Sequence, residues 1–381
     1  MPMIPMEMLI AMLIRMLTMP IAVAVSAPNA RAYSLAAYPR ARCLDGSAAR
    51  YYFRPGANRR KFLIYFEGGG FCGSIASCEA RAAGYFGSTT TDEDTPTWPL
   101  TYEAVGPYFD LSAVANPVLY DAQHVYVRFC DGAYFSGERH DPVKGVNRVL
   151  HFAGKWILEA TIADLAKRGL REASEIIVAG CSAGAIHLYA HLDRVRALLP
   201  ESARVVGFAD SGFYVDTTEY TSHQRFVVAP DGHNGTAMLD PFCLSKYTKE
   251  KERCLLAPNT AARLQTPTFA WQSVYDLDQR GIAKHFGIQQ YGDTLTSLLH
   301  SRLLANETHW HGAFIDGCDR HCTAAGMPHP FNMSEDGLTP LQALAAWYEG
   351  WRQVWDQKAR YPCKACCGQG PDPPSAAAVL V

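Results

Sequence analysis

The sequence of 381 residues lacks several features that would place a protein in a class at once. Its formal charge is only −2, and it has no basic run of five or more residues that would attract a nucleic acid. It has no repeat with a period of 20–50 residues and no low-complexity linker between domains. After its N-terminal region, no apolar run approaches the ~20 residues of a membrane-spanning helix. These absences argue against a nucleic-acid-binding protein, a solenoid and a membrane span after the N-terminal region, and they leave an N-terminal anchor as an alternative to a cleaved signal.

The composition is that of a folded domain with a surplus of cysteine. Apolar residues make up 48% of the chain and charged residues 19%, with 12 cysteines. A chain of this length buries about three quarters of its unfolded surface, so it does not need disulfides to fold. Many cysteines favour an oxidising compartment, where disulfides persist. The alternative is a zinc site, because several of these residues cluster in two short stretches: Cys318, His321 and Cys322, then Cys363, Cys366 and Cys367.

The N-terminus resembles a secretory signal. An apolar run there ends in small residues, which places cleavage after Ala27 or after Ala32. Arg15 and Pro20 interrupt the run and argue against a spanning helix. The sequence therefore predicts a secreted protein, which favours disulfides over zinc for the cysteines.

The rest of the chain reads as one domain with a short tail. We expect a signal peptide over 1–32, an α/β domain over 33–367 and a disordered tail, rich in proline, alanine and glycine, over 368–381. Three glycosylation sequons agree with export, at Asn234, Asn306 and Asn332.

Short apolar runs alternate with longer helical patterns. The runs are near-continuously apolar and rich in β-branched and aromatic residues, as in a parallel sheet that helices cover on both faces. This alternation predicts a mostly parallel α/β fold. The predicted strands are Phe62–Phe66, His124–Phe129, Glu175–Ala179, Val205–Ala209 and Thr268–Gln272, and the predicted helices are 150–167 and 183–199.

The strongest motif is a G-x-S-x-G turn. Gly180-Cys181-Ser182-Ala183-Gly184 lies between a predicted strand and a predicted helix, which is the context of a nucleophile elbow. A serine hydroxyl needs a general base that a third group orients. Ser182 is therefore the candidate nucleophile, and Cys181 a small buried residue rather than a second nucleophile.

Hydrolases of this architecture place the acid and then the histidine after the serine. Asp276 follows a buried strand and is preferred over Asp278, two residues on. His321 lies in a loop between two cysteines, which suits a base that must be held in place. Spacing alone leaves the other downstream histidines open: His285, His300, His309, His311 and His329.

A glycine run and a pair of histidines are two further candidates for a functional role. The glycine run in Glu67-Gly-Gly-Gly-Phe-Cys72 follows a predicted strand and could bring backbone N–H groups to an oxyanion, with the N–H of Ala183. His187 and His191 have a metal-compatible spacing, but no glutamate completes H-E-x-x-H. We interpret them as surface or hydrogen-bonded helix histidines and expect no metal or other cofactor.

Six motifs, in this order, resemble the pectin acetylesterases and their animal relative Notum. They are Glu67-Gly-Gly-Gly-Phe-Cys72, 129–137, Gly180-Cys-Ser-Ala-Gly-Ala185, 209–216, Tyr275-Asp-Leu-Asp-Gln279 and 314–322. Gly70, Phe71 and Cys181 make the plant-type enzymes more similar than Notum. Ala185 and the Trp271-Gln-Ser-Val run depart from the usual pattern and bear on the substrate pocket.

The resemblance implies an α/β-hydrolase fold without a metal. It implies a Ser182–Asp276–His321 triad and an oxyanion hole from the N–H groups of Gly69, Gly70 and Ala183. It also implies disulfides Cys43–Cys130 and Cys72–Cys78, with Cys181 free.

The main hypothesis is a secreted serine carboxylesterase that removes acetyl groups from a polysaccharide. One alternative is a Notum-like enzyme that removes a fatty acyl group from a protein. A further alternative is an inactive secreted binding protein, which the intact serine, aspartate and histidine disfavour.

Overall fold

A computed structural model of the chain describes residues 29–90, 97–98, 100, 105–282, 287–305, 309–322, 335–358, 360–361, 363–364 and 367. A central sheet of ten strands organises these residues, and two short strands form a separate hairpin. The strands are β1 Ala30–Ser34, β2 Arg50–Arg54, β3 Lys61–Phe66, β4 Thr97–Trp98, β5 Gln123–Val127, β6 Val143–Lys144, β7 Val149–Leu150, β8 Glu175–Cys181, β9 Arg204–Asp210, β10 Thr268–Ser273, β11 Gly312–Asp316 and β12 Val354–Asp356.

The central sheet is mostly parallel. Its order is β12-β11-β10-β9-β8-β3-β5-β2-β1-β4. Every pair from β12 to β5 is parallel, and the three remaining pairs at the other edge are antiparallel. All five runs predicted as strands lie in the parallel part. Four of them extend one or two residues beyond the prediction, and the run predicted at His124–Phe129 spans Gln123–Val127.

Helices cover both faces of the sheet. The α-helices in the described residues are α1 Ile75–Ala82, α2 Gly154–Ala166, α3 Ala183–Leu198, α4 Thr218–His223, α5 Arg225–Val228, α6 Pro241–Lys246, α7 Ala257–Thr260, α8 Leu277–Ile282, α9 Ile288–Leu298 and α10 Pro340–Tyr348. Short 3-10 turns lie at Tyr85–Gly87, Pro107–Phe109, Leu170–Glu172, Lys251–Leu255 and Ala261–Arg263, and a π-helical turn spans Leu299–Leu304.

One predicted helix starts later than its apolar pattern suggests. The pattern predicts a helix from Leu150, but Leu150 pairs with Val143 in the β6–β7 hairpin, and α2 begins at Gly154. Helix α3 follows its prediction closely and ends one residue before Leu199, ahead of Pro200.

Alternate residues of each strand feed two separate cores. In β8, Ile176 and Val178 pack in the core that contains α2 and α3, whereas Ile177 and Ala179 pack in the core that contains α10. Side chains of a strand alternate between faces, so a sheet covered twice requires a continuous apolar run. This is why the parallel strands could be recognised from sequence.

The parallel register brings five strand ends to one edge. Phe66 of β3 pairs with Gly180 of β8, and Cys181 pairs with Asp210 of β9. Strands β10 and β11 continue the same register, with Ser273 opposite Asp316. In open α/β sheets, ligands bind at this carboxyl edge, and all candidate catalytic residues follow these strands.

The predicted processing sites lie largely outside the described residues. Ala27 and the tail 368–381 are among the residues not described, whereas Ala32 lies within β1. Cleavage after Ala32 would remove three of the five residues of this strand. No helix in the described part of the chain is long and apolar enough to cross a membrane.

Candidate active site

Ser182 lies in a sharp turn between β8 and α3. Its backbone has φ 53° and ψ −120°, a conformation that costs a residue with a side chain on the order of 1–3 kcal/mol. The N–H groups of Ala185 and Ile186 donate to its carbonyl and begin the helix. A Cβ on Gly184 would collide with the carbonyl of Phe66, so only glycine lets α3 start this close to the sheet. The hydroxyl is thereby held at the helix N-terminus.

The three residues predicted as a triad lie in hydrogen-bond contact. The Oγ of Ser182 is 2.8 Å from Nε2 of His321. The other ring nitrogen, Nδ1, is 2.8 Å from Oδ1 and 2.9 Å from Oδ2 of Asp276. This order of contacts fixes the tautomer, because Nδ1 donates to the carboxylate and leaves Nε2 free to accept the serine proton.

The surroundings of these three residues change the pKa values of His321 and Asp276. Burial alone would lower the pKa of His321, but the hydrogen bond and the charge of Asp276 outweigh it and raise that pKa above 6.5. Asp276 is fully buried, and burial raises the pKa of its carboxyl, while its contact with His321 opposes the rise. The backbone N–H groups of Asp278 and Gln279 also donate to the carboxylate, at 3.0 and 3.1 Å.

The alternatives that spacing left open have other partners. The carboxylate of Asp278 accepts the hydroxyl of Tyr214 at 2.8 Å. His311 lies with Nε2 3.1 Å from the carbonyl of Leu264, and His300 lies 3.3 Å from Asp356. His285 and His329 lie outside the described residues. Only tertiary contact distinguishes His321 from these residues, since the sequence separation of a general base is not constrained.

The glycine loop after β3 lies beside Ser182. Gly69 has φ +154° and Gly70 has φ +69°, and a Cβ on Gly69 would lie 2.7 Å from the rings of Phe129 and Phe86. No hydrogen-bond acceptor among the described residues engages the N–H groups of Gly69, Gly70 or Ala183. Unpaired backbone donors beside a nucleophile are what an oxyanion hole requires.

The cysteines form disulfides, one of which corrects the prediction. Cys43–Cys130 and Cys72–Cys78, the pairs that the resemblance implies, are both present. The expectation of a free Cys181 is wrong, because Cys181 is bonded to Cys322. Cys181, directly before Ser182, and Cys322, directly after His321, approach each other in space. The sequence carries no local signal of this pair, because 141 residues separate them.

The remaining cysteines and histidines do not form a zinc site in the described part of the chain. Cys318 is bonded to Cys367 and Cys243 to Cys254. The one group with metal-ligand geometry there combines Cys72, Cys78 and His233, but its two sulfurs are joined in a disulfide. Metal ligation needs thiolates, which a disulfide does not offer.

His187 and His191 are core residues rather than surface ones. Both are buried on α3, with ring centroids 5.1 Å apart. Nδ1 of His187 lies 3.0 Å from the carbonyl of Tyr134, and its ring packs on Phe66 and Phe135. Burial lowers the pKa of both histidines, to about 4 for His191. They serve as neutral packing groups behind the elbow.

A buried ion cluster supports the histidine loop, and the sequence analysis missed it. The guanidinium of Arg320 is fully buried, 2.8 Å from Asp210 and 2.6 Å from Asp316. It also lies over the ring of Trp271. Asp210 and Asp316 end β9 and β11, and these acids at two strand ends were the sequence feature that could have indicated a buried ion cluster. The cluster fixes the residue that directly precedes His321.

The site opens into a pocket of about 600 Å³. Tyrosines and charged groups form much of its wall, together with the aromatic rings of Phe71 and Phe86. The tyrosines are Tyr65, Tyr108, Tyr126, Tyr134, Tyr214 and Tyr220, and the charged residues besides His321 are Glu67, Arg81 and Asp278. A pocket of this size takes a group as large as a small molecule, so only a short segment of a polymer would enter it.

Of the three sequons, only Asn234 lies in the described part of the chain. It is half-buried with φ +57°, and its Nδ2 donates to the carbonyl of Glu138 at 3.2 Å. A glycan on this nitrogen would compete with that bond. Asn306 and Asn332 lie outside the described residues.

Removing the Cys181–Cys322 disulfide is expected to slow catalysis more than it disturbs folding. The bond joins the neighbours of Ser182 and His321, and a misplacement of about 1 Å can cost ~10²-fold in rate. We expect the Cys181→Ala/Cys322→Ala variant to lose about 10- to 100-fold in kcat, measured per folded molecule with a small acetyl ester.

Cys243→Ala/Cys254→Ala is the matched control for this experiment. It removes a disulfide whose residues do not line the pocket. Equal losses of kcat in the two double variants would contradict a positional role for Cys181–Cys322.

A strained serine elbow, a hydrogen-bonded histidine and aspartate, and a mostly parallel sheet together define a serine hydrolase of the α/β-hydrolase fold. The family model described as pectinacetylesterase matches residues 30–284. The chain belongs to the pectinacetylesterase family.

Individual relatives agree with this membership. Pectin acetylesterase 4 of Arabidopsis thaliana is 28% identical over 357 residues, which cover 85% of this chain and 84% of the relative. The palmitoleoyl-protein carboxylesterase Notum of Drosophila melanogaster is 29% identical over 244 residues, covering 61% of this chain and 36% of the relative. Both relatives are named for the hydrolysis of carboxylic esters, and this chain is a carboxylic ester hydrolase.

The fold has a solved counterpart. The structure of the Wnt deacylase Notum from Drosophila superimposes with a TM-score of 0.72 at 24% identity, covering 87% of this chain and 98% of that chain. At this identity the similarity establishes the α/β-hydrolase fold alone.

Proposed function

We propose that this protein removes acetyl groups from a polysaccharide, with Ser182 as nucleophile, His321 as general base and acid, and Asp276 as the group that orients the imidazole. The observation that carries the proposal is the 2.8 Å contact between the Ser182 hydroxyl and His321, at a strained elbow that opens into a hydroxyl-lined pocket.

The geometry supports a two-step reaction. The Oγ of Ser182 attacks the acetyl carbonyl while its proton moves to Nε2 of His321. The N–H groups of Gly69, Gly70 and Ala183 receive the oxyanion, and His321 returns the proton to the departing sugar hydroxyl. The acetyl group is then bonded to Ser182. Water then attacks this ester while His321 takes its proton, and His321 returns that proton to the Oγ of Ser182 as acetate leaves.

The pocket lining favours a sugar ester over a fatty acyl ester. A long alkyl chain offers no hydrogen bond to the hydroxyls and charged groups of this wall, even though some of them already pair with each other, as Tyr214 does with Asp278. Sugar hydroxyls can pair with the same groups, and the rings of Phe71 and Phe86 offer apolar faces beside them. Residues 33–367 would form the enzyme's single domain.

We further propose that the enzyme acts outside the cell or in the secretory lumen. Five disulfides lie between described residues, and disulfides persist in oxidising compartments. The acetylated polysaccharide would be its partner in that setting.

A substrate panel tests the acyl preference. Acetate release from acetylated pectin, xylan and chitin is compared with hydrolysis of soluble esters of increasing acyl length, with Ser182→Ala as the blank. We expect kcat/KM to fall at least about tenfold from acetyl to medium-chain esters, because the longer chain desolvates polar groups. Faster hydrolysis of a long acyl ester would instead favour a lipid deacylase.

A further inference from the structure

Arg81 of α1 binds two backbone carbonyls of the glycine loop. Its Nη1 donates to the carbonyl of Gly69 at 2.7 Å, and its Nη2 donates to the carbonyl of Phe71 at 3.2 Å. The guanidinium carbon also lies 5.7 Å from the ring centroid of Phe86 and 5.9 Å from that of Phe129. The two hydrogen bonds and the two ring contacts restrict the orientation of the guanidinium.

The planar peptide between Gly69 and Gly70 links the carbonyl that Arg81 binds to the N–H proposed as an oxyanion donor. In a trans peptide the C=O of one residue and the N–H of the next point in opposite directions. The carbonyl of Gly69 points at Arg81, so the N–H of Gly70 points away from Arg81. A bond to a cation also polarises the peptide group and strengthens its N–H as a donor.

The loop needs such a support because its own conformation is permissive. Gly69 and Gly70 both have positive φ, and glycine reaches many other conformations at little cost. The Cys72–Cys78 disulfide anchors the end of the loop to α1, the helix that carries Arg81. Arg81 is thus attached to the same short unit whose peptide it orients.

We propose that Arg81 is a positioning residue for the oxyanion hole, holding the Gly69–Gly70 peptide with its N–H directed at the developing negative charge. The role rests on the proposed function of this loop, and it requires no contact between Arg81 and the substrate. The nearby carboxyl that supports its charge is that of Asp131, which is buried.

The test is the kinetics of Arg81→Met and Arg81→Lys with a small acetyl ester. An oxyanion donor acts in the transition state, so a misaligned donor lowers kcat and leaves KM nearly unchanged. We expect kcat to fall about 10- to 100-fold in Arg81→Met. Lysine keeps the charge but not the planar fork, so Arg81→Lys should recover less than about a tenth of the wild-type kcat.

Arg196→Met is the matched control. Arg196 also donates through Nη1 and Nη2 to two backbone carbonyls, those of Pro200 and Glu201, but it lies near the end of α3 remote from Ser182. The kcat of Arg196→Met should equal that of the wild type.

Binding of a trifluoromethyl ketone, which forms an oxyanion on Ser182, should weaken in the Arg81 variants in parallel with kcat/KM.

The outcomes distinguish the possible failures. A folded Arg81→Met variant with wild-type kcat, or a loss confined to KM, overturns the positioning role. An equal loss of kcat in Arg196→Met also overturns it, because general destabilisation would then be the cause. If Arg81→Met does not fold, the decision rests on folded Arg81→Lys, where full kcat refutes the proposal. If the Ser182→Ala variant still hydrolyses the ester at the wild-type rate, the proposed function is refuted instead.

Discussion

Replacing Ser182 with alanine is expected to lower kcat for acetate release by at least about 10⁴-fold. The substitution removes the only atom that can form the acyl-enzyme, and neither the aspartate nor the histidine can replace it. The hydroxyl contacts Nε2 of His321, and its loss leaves the imidazole bonded to Asp276. Acetate release and circular dichroism on the same preparation would show an inactive but folded protein.

Ser182→Gly provides a second variant that separates chemistry from stability. It is equally unable to form an acyl-enzyme, but without a Cβ it relieves the strain at φ 53°. Glycine also makes the unfolded chain more flexible, which offsets part of this gain. We expect the free energy of unfolding of Ser182→Gly to exceed that of Ser182→Ala by about 1 kcal/mol. Activity above about a hundredth of the wild-type rate in either variant would contradict the assignment of the nucleophile.

Asp276→Asn is expected to lower the maximal rate by about 10⁴-fold. An amide in place of the carboxylate can donate to Nδ1, which puts the imidazole proton on Nε2, where the serine proton must go. The carboxylate also stabilises the imidazolium that forms when Ser182 is deprotonated. Its distances of 2.8 and 2.9 Å to Nδ1 make it the partner that determines both effects.

The same variant should displace the acid limb of the pH–rate profile. Catalysis needs neutral His321, whose pKa lies above 6.5, so wild-type kcat/KM should fall as the pH drops through a midpoint above 6.5. Without the carboxylate, burial dominates and lowers the pKa of His321. The residual activity of Asp276→Asn should therefore persist to lower pH than that of the wild type.

Asp278→Asn is the natural comparison for Asp276→Asn. Its charge also raises the pKa of His321, but less than that of Asp276 does. We expect a smaller shift of the acid limb and a much smaller loss of rate. A larger loss in Asp278→Asn than in Asp276→Asn would exchange the roles of the two acids.

The strands and the elbow at Ser182 could be predicted from the sequence because both are local. Strands β3, β8, β9 and β10 are continuous apolar runs, since each is buried on both faces of the sheet. The elbow is recognisable because glycines must stand on either side of Ser182 where α3 meets β3. The late start of α2 was missed because Leu150 is apolar both in a hairpin and in a helix.

Residues far apart in the chain were beyond such reasoning. The Cys181–Cys322 bond and the burial of Arg320 between Asp210 and Asp316 depend on which strand ends lie side by side. Cysteine, arginine and aspartate can also stand in loops that carry no such contact. Their types limit the possible roles, and their positions in space select one.

What the sequence alone determined is the class of chemistry, because a serine in a glycine elbow after a buried strand has few other uses. What only the tertiary structure decided is how that chemistry is held. The parallel register brings Nε2 of His321 to 2.8 Å from the Oγ of Ser182 and its Nδ1 to 2.8 Å from Asp276. A disulfide, a buried ion cluster and Arg81 then surround the contacts. Such supports act through space and leave no pattern along the chain.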